Sequence, residues 1–179
     1  DNFYDSSLER RISAFLENPS DSLTEWPNVS GDYAQVALFG QYLVEQYGST
    51  ILSETLQSYA VGIDSINQFL QKNNYTERFS NIFENWTVAN YLNSISADKR
   101  YGYQKEELKN IYILPQQLFL SYPFEFALNN NLKSWQSSWY KYNFSSLPSD
   151  KAIKINHDPS YLVRILYTDN LGRVGVLGN

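Results

Sequence analysis

Cysteine and methionine are absent from the 179-residue chain, and histidine occurs once. Without cysteine there is no disulfide, thiol nucleophile, thiolate zinc site or iron–sulfur ligation, although this leaves the compartment unspecified. With His157 as the sole imidazole, no His-Glu-x-x-His zinc pair, histidine-based triad or two-histidine iron site can be assembled. The 8 glycines never fall into the spacing of a phosphate-cradling loop. No apolar run reaches the roughly 18 residues of a membrane-spanning helix. Basic runs are missing too: 14 Lys+Arg stand against 19 Asp+Glu, for a net charge of -5, which argues against nucleic acid and anionic lipid as partners. The missing methionine bears on the N-terminus, because a translation product starts with Met and its excision normally needs a small next residue rather than Asp1. The chain is therefore expected to be a fragment, its first residue made by processing, proteolysis or design.

What is present is globular. Hydrophobic residues make up 42%, aromatics 16% and charged residues 18%, a balance that buries a core rather than solvating a disordered chain. Leu8, Ile12, Phe15 and Leu16 form a short amphipathic stripe that Asn18-Pro19-Ser20 terminates. After the loop Glu25 to Gly31, Ser30 or Asp32 can cap a helix from Tyr33, whose apolar positions Val36, Ala37, Gly40, Leu43, Val44 and Tyr47 end at Gly48. A third helix is expected from the Ser49-Thr50 cap, with Ile51, Leu52, Thr55, Leu56 and Tyr59 on one side. A fourth carries Ile63, Ile66, Phe69 and Leu70. Thr76 is the expected cap of the fifth, where Phe79, Ile82, Phe83, Trp86, Ala89 and Asn93 make a stripe that must face other helices and places Trp86 at the centre of the core.

After Asn93 the texture becomes irregular, and beyond about Trp135 the period falls toward two. The runs 139–144, 152–155, 161–167 and 173–177 are β-rich and separated by turn signals at 147–150, 157–160 and 169–172, while Asn129-Asn-Asn131 marks a loop. The expected class is α+β: an N-terminal all-α helical block over 1–95, an irregular connection over 96–134, and a small antiparallel β-module over 135–179.

The catalytic inventory is thin. His157 lies in a turn signal and reads as an ordinary loop residue. Adjacent Glu106 and Glu107 point about 100° apart on a helix and read as solvated, and Asp64 and Glu84 fit surface or cap roles. Aromatic residues remain: Trp135, Trp139, Tyr140 and Tyr142 could form a ligand-binding face for a polysaccharide or a partner protein. Asn28, Asn74, Asn85 and Asn143 match the glycosylation acceptor pattern, Asn85 within an expected helix.

The stretches Asp32 to Gly48, Ile51 to Tyr59, Gly62 to Leu70 and Phe79 to Leu92 together resemble the C-terminal helical subdomain of gluzincin-type zinc metallopeptidases, over roughly residues 5–95. The tail from about Trp135 is similar to the small β-sandwich that follows the catalytic domain in secreted members. The resemblance implies that this chain forms the lower wall of a substrate cleft without catalysis of its own. The His-Glu-x-x-His helix and the third zinc ligand would belong to a missing N-terminal portion. It further implies an extracellular or cell-envelope protein whose parent binds zinc, while this chain holds no cofactor, and acts on a peptide or protein substrate. One functional residue transfers by position: Tyr33 stands where the family places the tyrosine whose hydroxyl donates to the oxyanion of the tetrahedral intermediate. The alternative expectation is an extracytoplasmic binding module that uses the aromatic face.

Overall fold

A computed structural model of the chain describes residues 2–120, 131–143, 154–169 and 173–177, with the backbone alone for 2–6. Five helices come first: α1 (Asn2–Glu17), α2 (Ser30–Tyr47), α3 (Thr50–Leu56), α4 (Ile63–Lys72) and α5 (Phe79–Leu92). Single 3-10 turns follow at Lys99–Tyr101 and Glu106–Leu108, then four short strands, β1 (Gln117–Phe119), β2 (Tyr140–Tyr142), β3 (Ile165–Thr168) and β4 (Val174–Leu177). The class is α+β, a helical block followed by a small β-module, as the residue pattern predicts. Two compact units divide the chain: Asp1–Ile113 with Lys133–Ser137, and Leu114–Leu132 with Ser138–Asn179.

In the helical unit α1 stops before Asn18-Pro19, and α2 stops at Gly48, whose φ of +82° is left-handed and whose N–H donates to the Val44 carbonyl. Two expected caps move. Val29 occupies the cap position of α2, and Asp32, two residues inside the helix start, accepts the Val29 N–H on Oδ2 at 2.7 Å. At α5 the cap position falls to Arg78 rather than Thr76, with Asn81 Oδ1 accepting the Arg78 N–H at 2.9 Å. In both, a short polar side chain one turn into the helix satisfies the N–H that precedes it.

The expected stripe of α5 is buried from Phe79 to Ala89, while Asn93 is half-buried at the cap position and Glu84, Asn85, Val88 and Asn90 are buried as well. Trp86 is 1% exposed, its ring 5.1 Å from Phe39, 5.9 Å from Phe83 and 6.2 Å from Phe15. The face of α2 is rotated from expectation. Ala34, Gln35, Leu38, Phe39, Tyr42 and Leu43 are buried, whereas Val36 is exposed and Ala37, Gly40, Val44 and Tyr47 are half-buried. The buried face is an apolar stripe of its own at helical spacing, and Gln35 is buried within it because its Nε2 donates to the carbonyls of Asn18 and Pro19, which ties the α1–α2 loop to the helix. In α3 only Ile51 is buried; Leu52 and Leu56 are exposed, and so is Tyr59, beyond the helix end.

Residues 96–113 are irregular, yet Tyr103, Leu108, Ile111 and Ile113 are core residues. Asn93 holds this segment. In left-handed conformation at the end of α5, its Nδ2 donates to the carbonyls of Leu108, Lys109 and Ile111 and its Oδ1 accepts the Tyr103 N–H.

In the second unit β1 pairs with β2 in parallel, Gln117 opposite Tyr140, and β3 pairs with β4 antiparallel, Ile165 opposite Leu177. The parallel pair departs from the expected all-antiparallel module. The segment from Leu120 to Trp139 is long enough for the crossover that parallel pairing requires. β1 lies in a stretch that carries no period-two signal, and the run 161–167 becomes strand only from Ile165. Lys154 and Ile155 are not in a strand. The strand residues expected at 144 and 152–153, the turns at 147–150 and 170–172, and Asn129 and Asn130 lie outside the described residues. Among the described residues no two-layer sandwich is seen.

Candidate functional site

Tyr33 sits on the first turn of α2 between Asp32 and Ala34, both buried, so helical geometry turns its own side chain outward at 42% exposure. Its hydroxyl donates to Asn28 Oδ1 at 2.7 Å. Asn28 reaches back because its backbone is left-handed, φ +66°, a conformation asparagine tolerates better than most residues. From the same loop, half-exposed Trp26 sets its ring at 70° to that of Tyr33, centroids 4.9 Å apart. From α1, which packs along α2, the Arg11 guanidinium carbon stands 5.0 Å from the Tyr33 ring centroid, a cation–π contact.

The loop that carries Trp26 and Asn28 is anchored at its start. Ser22 Oγ donates to the Ser134 carbonyl at 2.7 Å, the Leu23 N–H donates to the Trp135 carbonyl at 3.1 Å, and Lys133 Nζ pairs with Glu25. The result is an aromatic corner with one fixed cation and a phenol proton directed at a neutral amide oxygen. Such a surface binds and donates a hydrogen bond; it holds no nucleophile–base pair.

The four other sequence candidates are divided between the units. Trp135, in the helical unit, is half-buried and packs edge-on to Phe79 at 4.6 Å and Phe83 at 5.3 Å. In the second unit Trp139 is buried, Tyr140 half-buried, and Tyr142 stacks on Phe119 with centroids 4.9 Å apart and planes 8° from parallel. Ring-on-ring packing therefore occupies Trp135 and Tyr142.

Of the carboxylates, Glu106 and Glu107 are exposed and paired with Lys109 and Lys105, and Asp64 is exposed in the first turn of α4. Glu84 departs from its expected surface role, being buried on α5. His157 is exposed, its Nδ1 hydrogen-bonded to the Asp158 carbonyl. Among the described residues no group of three or more His, Cys, Asp or Glu is placed to hold a metal ion. A catalytic zinc needs three protein ligands, so the residues described do not fit one, and no chemical step is assigned to a metal here. Three of the glycosylation-type asparagines, Asn28, Asn74 and Asn143, are exposed, whereas Asn85 is buried at 7%.

Sequence reasoning singled out Tyr33 but not its surroundings. Trp26 carried a signal, an aromatic in a Pro/Asn/Gly loop just before a helix cap. Arg11 carried none, because only the α1–α2 packing brings it to Tyr33. The chain matches no protein-family model and no curated protein, so the likeness to gluzincins rests on the helical segments themselves.

Proposed function

We propose that the helical unit is the lower wall of the substrate cleft of a secreted zinc metallopeptidase whose zinc ligands are supplied by residues outside this chain. The observation that carries the reading is the arrangement of the gluzincin-like stretches. They fold as consecutive helices α2 to α5 of one unit, and the first turn of α2 carries an exposed phenol, Tyr33, to which the resemblance gives the role of that family's oxyanion-donating tyrosine.

In this reading Tyr33 contributes a proton donor. Its hydroxyl now donates to the neutral Asn28 amide. With a peptide bound it would turn to the oxygen that becomes negative during attack, and a charge-assisted bond is roughly twice as strong as a neutral one. The gain grows with the developing charge, so it lowers the barrier rather than tightening ground-state binding.

The test uses the natural gene product that contains these residues. It should hold stoichiometric zinc and cleave peptides in a chelator-sensitive way. Tyr33→Phe should lower kcat by about 100-fold with KM and unfolding midpoint nearly unchanged. A natural product without zinc or chelator-sensitive peptidase activity overturns the reading, and an unchanged kcat removes Tyr33 from it.

A further inference from the structure

We propose that Arg11, Tyr33 and Trp26 form a recognition site for a peptide carboxylate. The proposal deepens the metallopeptidase reading by naming a substrate class, peptides bearing an acidic group, and it rests on that reading for its placement beside the scissile bond.

Three observations carry it. First, Arg11 is half-buried on α1 and held against the Tyr33 ring at 5.0 Å. Among the described residues it makes no ion pair. A guanidinium held over an aromatic face still has N–H groups to offer a carboxylate through two parallel bonds, and has less side-chain freedom left to lose on doing so. Second, the carboxylates nearest in the chain to Tyr33 and Trp26 are engaged elsewhere: Asp32 accepts the Val29 N–H and Glu25 pairs with Lys133. Third, the aromatic rings beside the cation are accessible. Trp26 at 50% and Tyr33 at 42% exposure present apolar surface at a fixed mutual angle, and large, stiff aromatic side chains adjacent to an arginine are the residue types that anchor peptide ligands.

The Asn28 amide supplies a polar contact at the tip of the Tyr33 phenol. A bound carboxylate would thus sit on Arg11 while the flanking peptide atoms lie against Trp26, with the Tyr33 hydroxyl within reach of the backbone.

The carboxylate could come from an Asp or Glu side chain or from a peptide C-terminus, and the experiment separates them. Three short peptides of one sequence are titrated into the 179-residue chain by calorimetry. One is blocked at both ends with a central Glu, one is blocked with Gln in that place, and one has the Gln and a free C-terminal carboxylate. Loss of the charge-assisted pair should weaken the blocked Gln peptide by about tenfold or more relative to the Glu peptide. A Gln peptide with a free C-terminus that binds about tenfold more tightly than both blocked peptides assigns the site to C-termini instead of side chains, and one that matches the Glu peptide shows that the site accepts either carboxylate.

Arg11→Gln should abolish the preference, and Arg11→Lys should recover only part of it, because an ammonium cannot form the bidentate pair. Trp26→Ala should weaken all three peptides alike without changing the preference. Unfolding midpoints of each variant establish that they fold, and the Trp26 variant keeps the test informative if an Arg11 variant does not. Equal binding of the Glu peptide and both Gln peptides, an unaltered preference in Arg11→Gln, or tighter binding of glucuronate than of any peptide overturns the proposal. Binding is read without turnover. A chelator-insensitive natural product therefore leaves the carboxylate site standing, and a failed titration leaves the peptidase reading standing.

Discussion

The buried polar chain at the centre of the helical unit is the place where one atom should matter most. Trp86 Nε1–H donates to Tyr103 Oη at 2.8 Å, and the Tyr103 hydroxyl donates to Asn90 Oδ1 at 2.6 Å. Trp86 and Tyr103 are each 1% exposed and Asn90 is 0% exposed, so water does not replace a missing partner without cavity formation. Tyr103→Phe keeps the ring and removes only the oxygen. It orphans the Trp86 N–H and the Asn90 carbonyl oxygen together, at about 1–3 kcal/mol for each buried group left unsatisfied. Asn90 Nδ2 already lacks a hydrogen-bond partner among the described residues, so the substitution strips this amide of its side-chain contacts. The expected loss is about 2–4 kcal/mol, the lower part of that sum because the phenyl ring gains a little from staying apolar. Against a typical domain stability of about 5–15 kcal/mol, urea unfolding followed by far-UV circular dichroism resolves it. Asn90→Leu in the Tyr103→Phe background should destabilise by less than the sum of the single changes, with a coupling of about 0.5–3 kcal/mol, since the second change removes a group the first had orphaned. A Tyr103→Phe loss below about 0.5 kcal/mol, or strict additivity of the two changes, would refute the reasoning.

The other predictions concern the same unit. Trp86→Ala, which empties the contact shared by Phe15, Phe39 and Phe83, should cost about 3–5 kcal/mol in denaturant unfolding, and a loss under about 1 kcal/mol would place Trp86 outside the core. Gly102→Ala should cost about 1–3 kcal/mol, because the added Cβ would stand 2.8 Å from the Ser94 backbone nitrogen and 3.0 Å from that of Ile95. The φ at Gly102 is extended, so the cost is one of space, and Gly102→Ser should be at least as damaging. Burial holds the phenols of Tyr42 and Tyr103 well above their ordinary value of 10.0. Both stay protonated in the folded chain while the unfolded chain releases the protons, so their contribution is complete below about pH 10. It is lost above that pH at about 1.4 kcal/mol per pH unit for each tyrosine. Urea midpoints against pH test this, and Tyr103→Phe should reduce the slope by one tyrosine's share.

The apolar residues of α5 mark the helix and one buried face by themselves. Phe79, Ile82, Phe83, Trp86 and Ala89 recur at helical spacing and are apolar throughout, so their burial is legible locally, whereas the burial of Glu84, Asn85, Val88 and Asn90 on the other sides of the helix is not. The end of α1 at Asn18-Pro19 and of α2 at Gly48 is equally local, because proline and a left-handed glycine act on their own backbone. The existence of an α+β chain is legible for the same reason.

Tertiary structure decided wherever a polar group is buried with a distant partner. Gln35 is buried beside the apolar residues of α2 because it satisfies the carbonyls of Asn18 and Pro19, a pairing that no hydrophobic pattern encodes. Tyr103 becomes a core residue because Trp86 and Asn90 receive its hydroxyl across 17 and 13 positions of chain. The parallel pairing of β1 with β2 depends on a crossover, a long-range event with no signature in the three residues of each strand. Arg11 reaches Tyr33 only because α1 lies along α2. Periodicity reports which face of an element is apolar, while hydrogen bonds and charges are completed between elements, and their partners exist only once the chain has closed on itself.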